Sequence, residues 1–151
     1  MKDKAYNKRY TAFDTAIYYI SLKDRTTKEI YNKLEDKGYG EDEINTAIGK
    51  LLYYRYLDDK KYALSYIKSN IDKKGIRLIT SELMAKGVDK QDILEVLEEI
   101  DVDEASTVRE IYNRRFVDMD IKDQRQRRKV VSYFLRRGFT YDTINIIFLT
   151  H

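Results

Sequence analysis

Apolar residues recur along this chain every three or four positions, the spacing that places them on one face of an α-helix. Three of the helical segments end in the same six-residue phrase. It begins with an apolar residue and ends with a basic residue, a glycine and a second apolar residue. The phrase occupies residues 34–39, 83–88 and 134–139. Its glycines, Gly38, Gly87 and Gly138, lie 49 and 51 residues apart, and an isoleucine follows six residues after each. This near-constant period indicates one structural unit built three times.

The chemistry of the phrase is that of a helix end. A basic residue suits the negative end of the helix dipole, and a glycine past the end adopts the left-handed conformation that closes the last turn. Residues suited to begin a helix follow at Gly40, Asp89 and Thr140. Thr26 with Glu29 forms the sequence pattern of a capping box. We therefore expect helix, tight turn and helix in each unit, with the glycines in structural roles.

These patterns predict an all-α fold of three tandem three-helix repeats that form an elongated, curved array. The predicted limits are 1–57 for an N-terminal basic arm with the first repeat, 58–100 for the second and 101–151 for the third, within one continuous repeat domain. The chain has no proline and only six glycines, which favours long runs of helix with short connections. Stacked repeats bury apolar faces that a lone repeat leaves exposed.

Composition excludes several kinds of site. Without cysteine there is no disulfide and no thiolate metal site. The single histidine, His151, is the last residue and receives no role. We find no phosphate-binding glycine loop, no nucleophile paired with a base and no metal-ligand cluster, so we expect neither catalysis nor a cofactor. No apolar run approaches the roughly 20 residues of a membrane span, and we expect a cytoplasmic protein without a membrane partner.

Charge is distributed unevenly along the chain. Residues 122–137 contain seven basic side chains and one acidic one, whereas residues 89–104 contain eight acidic side chains and one lysine. Such polarity indicates an anionic partner or an oriented assembly. The basic segment predicts a helix with one cationic stripe, and a second, weaker cluster lies in the middle of the chain. The predicted partner-facing or DNA-facing residues are Arg125, Arg128, Lys129 and Arg136, followed by Lys73, Lys74 and Arg77. The competing interpretation is an ordinary solvated face.

Two other features have competing interpretations. The neighbouring carboxylates of Asp58 and Asp59 suit acid–base chemistry or metal binding, but no histidine or further acidic ligand stands at a suitable spacing. We favour a role in starting the helix that follows them. The 14 tyrosines suit base stacking, yet those at positions such as Tyr18, Tyr62 and Tyr133 stand beside apolar residues. Packing at the core or its edge is the favoured interpretation.

The chain resembles the RecX family of bacterial recombination regulators in an ordered set of motifs from about residue 12 to residue 149. The segment 56–63 is similar to that family's "YLDDxxYA" hallmark, 74–88 to its "kGxxxIxxELxxKGI" and 136–144 to its "RRGFxxxxI". The residues that carry the resemblance are Tyr56, Leu57, Asp58, Asp59, Tyr62, Ala63, Gly75, Glu82, Leu83, Lys86, Gly87, Arg137, Gly138 and Phe139.

The resemblance implies three three-helix repeats and a protein that binds RecA recombinase and the RecA–single-stranded DNA filament. We expect the protein to be a monomer. The resemblance also implies inhibition of the recombinase, ATPase and coprotease activities of RecA in DNA repair, recombination and the SOS response. The alternative is a stand-alone helical module that binds DNA weakly through charge, with little sequence preference. Against sequence-specific binding, the helices that follow the tight turns begin with acidic or neutral residues, at 40–43, 89–92 and 140–143.

Overall fold

A computed structural model describes residues 10–150, and over this range the chain is helical without a strand. The helices are α1 (Ala12–Leu22), α2 (Thr27–Asp36), α3 (Glu41–Tyr53), α4 (Asp59–Asn70), α5 (Ile76–Ala85), α6 (Lys90–Glu98), α7 (Glu104–Arg115), α8 (Gln124–Arg136), α9 (Tyr141–Ile144) and α10 (Ile146–Thr150). The predicted all-α class is confirmed. The predicted basic arm before residue 10 and His151 lie outside the described residues.

The helices begin where cap chemistry predicts. The Thr26 hydroxyl accepts a hydrogen bond from the backbone N–H of Glu29, whose side chain accepts one from Thr26 N–H. Gly40 is the N-cap of α3, and Thr140 caps α9 with its side chain. Asp89 precedes α6 and accepts from the backbone N–H of Gln91 at 2.8 Å. Local side-chain chemistry thus satisfies amide groups that the first helical turn leaves without partners.

The three glycines of the repeated phrase have left-handed backbone, as predicted. Their φ angles are +93°, +97° and +92° for Gly38, Gly87 and Gly138. After α2, Tyr39 N–H donates to the carbonyl of Leu34 at 3.2 Å, and Gly38 N–H donates to that of Glu35 at 3.0 Å. This bond pair is the Schellman closure of a helix.

The described chain divides into two compact units. The first unit comprises the described residues up to Leu64 together with Met84–Ile93, and the second comprises Ser65–Leu83 and the residues from Leu94 onward. The predicted middle repeat is therefore divided, with parts of α4, α5 and α6 in each unit.

In the first unit, α1, α2 and α3 enclose an apolar core. Its fully buried side chains include Ala16, Ile30, Leu34, Ile44 and Leu51. Leu52 is 44% exposed, because it follows the buried Leu51 by about 100° around the helix.

The start of α2 packs against the glycine turn that closes α5. The buried Thr26 hydroxyl donates to the carbonyl of Lys86 at 2.6 Å. A Cβ atom added to Gly87 would lie 2.4 Å from the Cβ of Lys28, so no side chain fits between them. Thr26 therefore joins segments 60 residues apart in addition to capping its own helix.

Replacing Thr26 by valine is expected to lower the free energy of unfolding by about 1–3 kcal/mol. Valine has nearly the same shape but lacks the hydroxyl, so the Lys86 carbonyl and the Glu29 N–H lose their partners. Urea denaturation measures the change. The matched control is Thr11→Val, because Thr11 forms the same capping box with Asp14 at an exposed site. An equal loss in the two variants would mean that the Lys86 contact contributes nothing.

In the second unit, α7 to α10 enclose a core centred on Phe134. The Phe134 ring lies 5.9 Å from Phe116 and 5.8 Å from Phe139, centroid to centroid, both edge to face. The pattern after Gly138 predicted one closing helix, but α9 and α10 are separated at Asn145, a weak helix former. Ile144 and Ile147 are both fully buried on either side of this break.

The start of α5 packs against the glycine turn that closes α8, as the start of α2 does on the α5 turn. Gly75 N–H donates to the carbonyl of Arg137 at 2.7 Å. A Cβ added to Gly75 would lie 2.3 Å from the carbonyl oxygen of Gly138, and one added to Gly138 would lie 2.4 Å from the Cβ of Leu78. The two units therefore repeat one contact. In the first unit, the start of α2 packs against the glycine turn after α5. In the second unit, the start of α5 packs in the same way against the glycine turn after α8.

Glu104 lies at the same helix start with one unsatisfied oxygen. Its Oε1 accepts from the backbone N–H of Ile76 at 3.4 Å. Its Oε2 is buried and has no hydrogen-bond partner among the described residues. Burial raises the pKa of Glu104 above its ordinary value, and the bond from Ile76 opposes this only in part.

Replacing Glu104 by glutamine is expected to remove a pH-dependent loss of stability. With its pKa raised, Glu104 holds its proton to higher pH in the folded state than in the unfolded state. Its contribution to stability is complete below the unfolded pKa and is lost as pH rises through the folded pKa. The difference in unfolding free energy between Glu104→Gln and the parent protein should therefore shift in favour of the variant as the pH rises above the ordinary pKa of a glutamate and through the raised pKa of the folded state. Glu110→Gln, on the exposed face of α7, is the control; a flat difference for Glu104→Gln would refute the prediction.

Candidate partner-binding surface

Helix α8 displays the predicted cations on its solvent side. Asp123 caps the helix by accepting from Arg125 N–H at 3.4 Å, and Val130 and Phe134 anchor the opposite face in the core. We call the exposed cations of this helix the basic stripe: Arg125, Arg128, Lys129 and Arg136. Leu135, which follows the buried Phe134, is 41% exposed. The core thus fixes the rotation of α8 and directs its cations outward.

No carboxylate neutralises the basic stripe within the described part of the chain. None of its four cations lies within 4.0 Å of an aspartate or glutamate oxygen of residues 10–150. Arg128 Nε makes one long hydrogen bond, 3.5 Å, to the carbonyl of Gln124 on its own helix. A run of unpaired cations on one rigid face produces a local positive potential that attracts anionic surfaces.

A shallow concavity of about 470 Å³ adjoins the stripe and contributes another cation. The Arg115 guanidinium lies 4.8 Å from the ring centroid of Tyr133, and the Arg137 guanidinium lies 5.1 Å from it. Stacking on an aromatic ring orients a guanidinium for paired hydrogen bonds to carboxylate or phosphate oxygens. Arg115 was missed by the sequence analysis, because it ends a different helix and only the fold brings it to α8.

The three cations of the second predicted cluster differ in their exposure and in their contacts. Lys73 and Arg77 are exposed, whereas Lys74 is half-buried with its ammonium 2.9 Å from both carboxylate oxygens of Glu82. The Tyr66 hydroxyl donates to the same carboxylate at 2.9 Å. The partner-facing role of these cations stays a prediction, and for Lys74 a partner would have to compete with Glu82.

The neighbouring carboxylates of the first unit bind backbone and side-chain donors. Asp58 accepts from the backbone N–H of Lys61 at 3.1 Å and so caps α4, as predicted. Asp59 accepts from the backbone N–H of Thr27 at 2.9 Å and from its hydroxyl at 3.1 Å, which links the starts of α2 and α4. The link to Thr27 was not predictable from the sequence, because it joins residues 32 positions apart. Within residues 10–150, no three metal-binding side chains form a group that suits an ion.

Most of the remaining residues that carry the family resemblance build the fold. Leu57, Ala63, Leu83 and Phe139 are buried in the cores. Tyr62 is half-buried, and burial together with Glu29 and Asp24 raises the pKa of its phenol. Together with the glycines at the helix junctions, these positions explain most of the family motifs as residues that pack the fold. The chemistry available to a partner therefore resides mainly in other, exposed residues.

The tyrosines divide between packed and exposed positions. Tyr62 and Tyr133 are half-buried, in line with the predicted packing role, but Tyr18 is 50% exposed and that prediction was wrong for it. Tyr18 stacks on Tyr19 at the surface of α1, with ring centroids 5.4 Å apart. Further exposed tyrosines among the described residues are Tyr10, Tyr53, Tyr54, Tyr56 and Tyr141.

No helix within residues 10–150 combines the length and the apolar character needed to cross a bilayer.

Three protein-family models match consecutive parts of the chain. They are described as the first, second and third three-helix domains of RecX and match residues 12–51, 58–97 and 102–148. Each matched stretch lies inside one of the predicted repeats, and the composition of three three-helix domains is confirmed. The exact repeat limits, at 57/58 and 100/101, stay predictions.

Curated relatives are identical to this chain at about a third of the aligned positions. It is 34% identical to the regulatory protein RecX of Vibrio campbellii, over 87% of this chain and 86% of that protein. It is 35% identical to the regulatory protein RecX of Bacillus cytotoxicus, over 89% of this chain but 52% of that protein. The chain thus spans about half the length of the Bacillus relative.

Solved structures show the same fold. The crystal structure of RecX from Lactobacillus salivarius has a TM-score of 0.75 to this chain at 28% identity, and 92% of this chain and 93% of that one are covered. A second crystal structure of a regulatory protein RecX has a TM-score of 0.79 at 25% identity, covering 90% of this chain and 70% of that one.

Proposed function

The chain belongs to the RecX family of regulatory proteins, and on this basis we propose that it binds RecA and RecA–single-stranded DNA filaments and inhibits their recombinase, ATPase and coprotease activities. The relatives are named as regulatory proteins, which supports a regulatory role and suggests that the chain is not an enzyme. In the proposed function it acts as a monomer in the cytoplasm, in DNA repair, recombination and the SOS response.

The observation that carries the proposal is the ordered set of three RecX domains over residues 12–148. The basic stripe adds a physical means of engagement, because the DNA of a RecA–DNA filament carries a regular series of phosphate charges. Unneutralised cations on a rigid helix attract such an assembly from a distance and orient the encounter.

A direct, weak contact with DNA is the second candidate activity, and the basic stripe is what favours it. Phosphates attract the stripe regardless of base sequence, so such binding would weaken steeply with salt. The helices after the tight turns do not begin with clusters of cations that could bind phosphates. Helix α3, for example, begins with Glu41, Asp42 and Glu43. Acidic residues at the start of a helix oppose its insertion into the major groove.

Measuring ATP hydrolysis by RecA on single-stranded DNA tests the proposed function. Addition of this protein is expected to lower the rate in a concentration-dependent manner, with most of the effect reached near the stoichiometry of RecA subunits. Unchanged hydrolysis at excess protein would refute the proposal. The DNA-binding candidate is tested in parallel on bare single-stranded DNA, where its binding should disappear as salt rises from 50 to 200 mM.

A further inference from the structure

Helix α3 ends with the same turn as the glycine phrases but has an arginine at the glycine position. Arg55 N–H donates to the carbonyl of Leu52 at 3.1 Å, and Tyr56 N–H donates to that of Leu51 at 2.8 Å. These bonds reproduce the pair that closes α2 at Gly38. The φ angle of Arg55 is +60°, and no other non-glycine among the described residues has a positive φ. Left-handed backbone is unfavourable for residues with a Cβ, so this turn is strained where glycine would relax it.

Contacts of the Arg55 side chain within the fold do little to offset this strain. The side chain is 83% exposed, and its Nη1 lies 3.7 Å from the Asp58 carboxylate. Exposed ion pairs of this length contribute little to stability. Arg55 thus has an unfavourable backbone conformation, and no contact of its side chain within the fold explains why arginine is present there. Such a residue is a reason to look for a functional role.

Arg55 stands among exposed tyrosines. Tyr53 is 81% exposed, Tyr54 61% and Tyr56 53%. The rings of Tyr53 and Tyr54 meet edge to face with centroids 5.0 Å apart, and Tyr56 meets Phe13 edge to face at 6.3 Å. We call residues 53–56 the aromatic turn. Tyrosine and arginine are the residue types most enriched where protein interfaces concentrate their binding energy.

The carboxylates beside the aromatic turn indicate the class of partner. A shallow concavity of about 510 Å³ adjoins Arg55, and its lining combines apolar and charged side chains: Leu52, Leu57, Lys60, Asp58, Asp59 and Asp92. The three carboxylates there would repel the phosphates of a nucleic acid, whose binding depends on cations that no nearby acidic side chain neutralises. An aromatic centre with a rim of mixed charge is instead typical of a surface that binds a folded protein.

We infer that the aromatic turn is a protein-binding surface in which Arg55 pairs with an oxygen of the partner and the tyrosines pack around that contact. The inference rests on the proposed function, which makes the partner a RecA subunit of the filament. This contact belongs to the first unit, whereas the basic stripe belongs to the second. The partner patch it fits presents a carboxylate or backbone carbonyl surrounded by apolar groups.

Replacing Arg55 by glycine separates a structural role from a binding role. Glycine relieves the left-handed backbone, so the melting temperature is expected to rise by about 2–4 °C. If Arg55 binds the partner, the affinity for RecA filaments should nevertheless fall about tenfold. Filaments assembled on immobilised single-stranded DNA with a slowly hydrolysed ATP analogue, titrated with the protein by biolayer interferometry, give that affinity.

A second variant and a matched control complete the experiment. The double variant Tyr53→Ala/Tyr54→Ala should also weaken filament binding, whereas Tyr141→Ala, at a site 51% exposed in the second unit, should leave it unchanged. If the parent protein binds filaments and the Arg55 and tyrosine variants bind equally well, this inference fails while the proposed function stands. If the parent protein does not bind filaments, both fail. A loss of affinity confined to bare single-stranded DNA would make the surface a nucleic-acid site and overturn the inference.

Discussion

Replacing Gly138 by alanine is expected to destabilise the protein by about 3–5 kcal/mol, a large part of the total stability of a domain of this size. Two costs add at this position. The φ angle of +92° is unfavourable for any residue with a Cβ. The added Cβ would also lie 2.5 Å from the backbone nitrogen of Leu78 and 2.4 Å from its Cβ, so α5 would have to move.

The partner position Gly75 separates these two costs. Gly75 lacks a positive φ, so its replacement by alanine carries only the steric cost. A Cβ there would lie 2.3 Å from the carbonyl oxygen of Gly138 and 2.6 Å from the nitrogen of Phe139, both backbone atoms. The expected loss is about 2–4 kcal/mol, of the size produced by overpacking a close contact. The hydrogen bond from Gly75 N–H to the Arg137 carbonyl would be lost with it.

Gly49→Ala is the matched control for both variants. Gly49 is exposed within α3 and nothing lies within 4 Å of an added Cβ, so alanine should stabilise the protein by about 0.5–1 kcal/mol. Chemical denaturation followed by circular dichroism gives the three free energies on one scale. Losses below 1 kcal/mol for Gly75→Ala and Gly138→Ala would show that the junction between α5 and α8 tolerates a side chain.

The features that the sequence predicted correctly depend on neighbouring residues. A glycine that follows a basic residue determines a helix end through its own φ angle, and Thr26 with Glu29 determines a helix start through bonds three residues apart. The basic stripe was equally predictable, because a 3.6-residue period with Val130 and Phe134 inward places the cations outward. For such features, local chemistry and the three-dimensional result agree.

The features that escaped prediction depend on distant segments or on an exception to a local rule. The Thr26–Lys86 bond and the Gly75–Arg137 bond each join residues about 60 positions apart, which no periodicity reveals. Two of the repeated glycines, Gly87 and Gly138, therefore act as junctions between repeats in addition to ending helices. The turn at Arg55 was not predicted, because the sequence pattern identifies this kind of helix end by its glycine and an arginine occupies the glycine position here.

The basic stripe should account for much of the attraction to the filament. Charge reversal at three of its four positions, Arg125→Glu/Lys129→Glu/Arg136→Glu, is expected to raise the protein concentration that half-inhibits RecA ATP hydrolysis by about 10- to 100-fold. The fold should survive, because these side chains are exposed and have no carboxylate partner within residues 10–150. Far-ultraviolet circular dichroism and the melting temperature check this point before inhibition is measured.

A control of equal charge distinguishes a specific face from net charge. Lys23→Glu/Lys68→Glu/Lys90→Glu changes the net charge by the same amount at three exposed positions outside the stripe. This variant should inhibit RecA with less than threefold change, whereas neutralisation of the stripe with glutamine should lie between the parent protein and the reversal. Because exposed charges are screened within about 8–10 Å at 0.1–0.15 M salt, raising the salt should narrow the gap between the parent protein and the reversal. Equal losses in the reversal and the control would assign the effect to overall charge and remove the stripe from the binding surface.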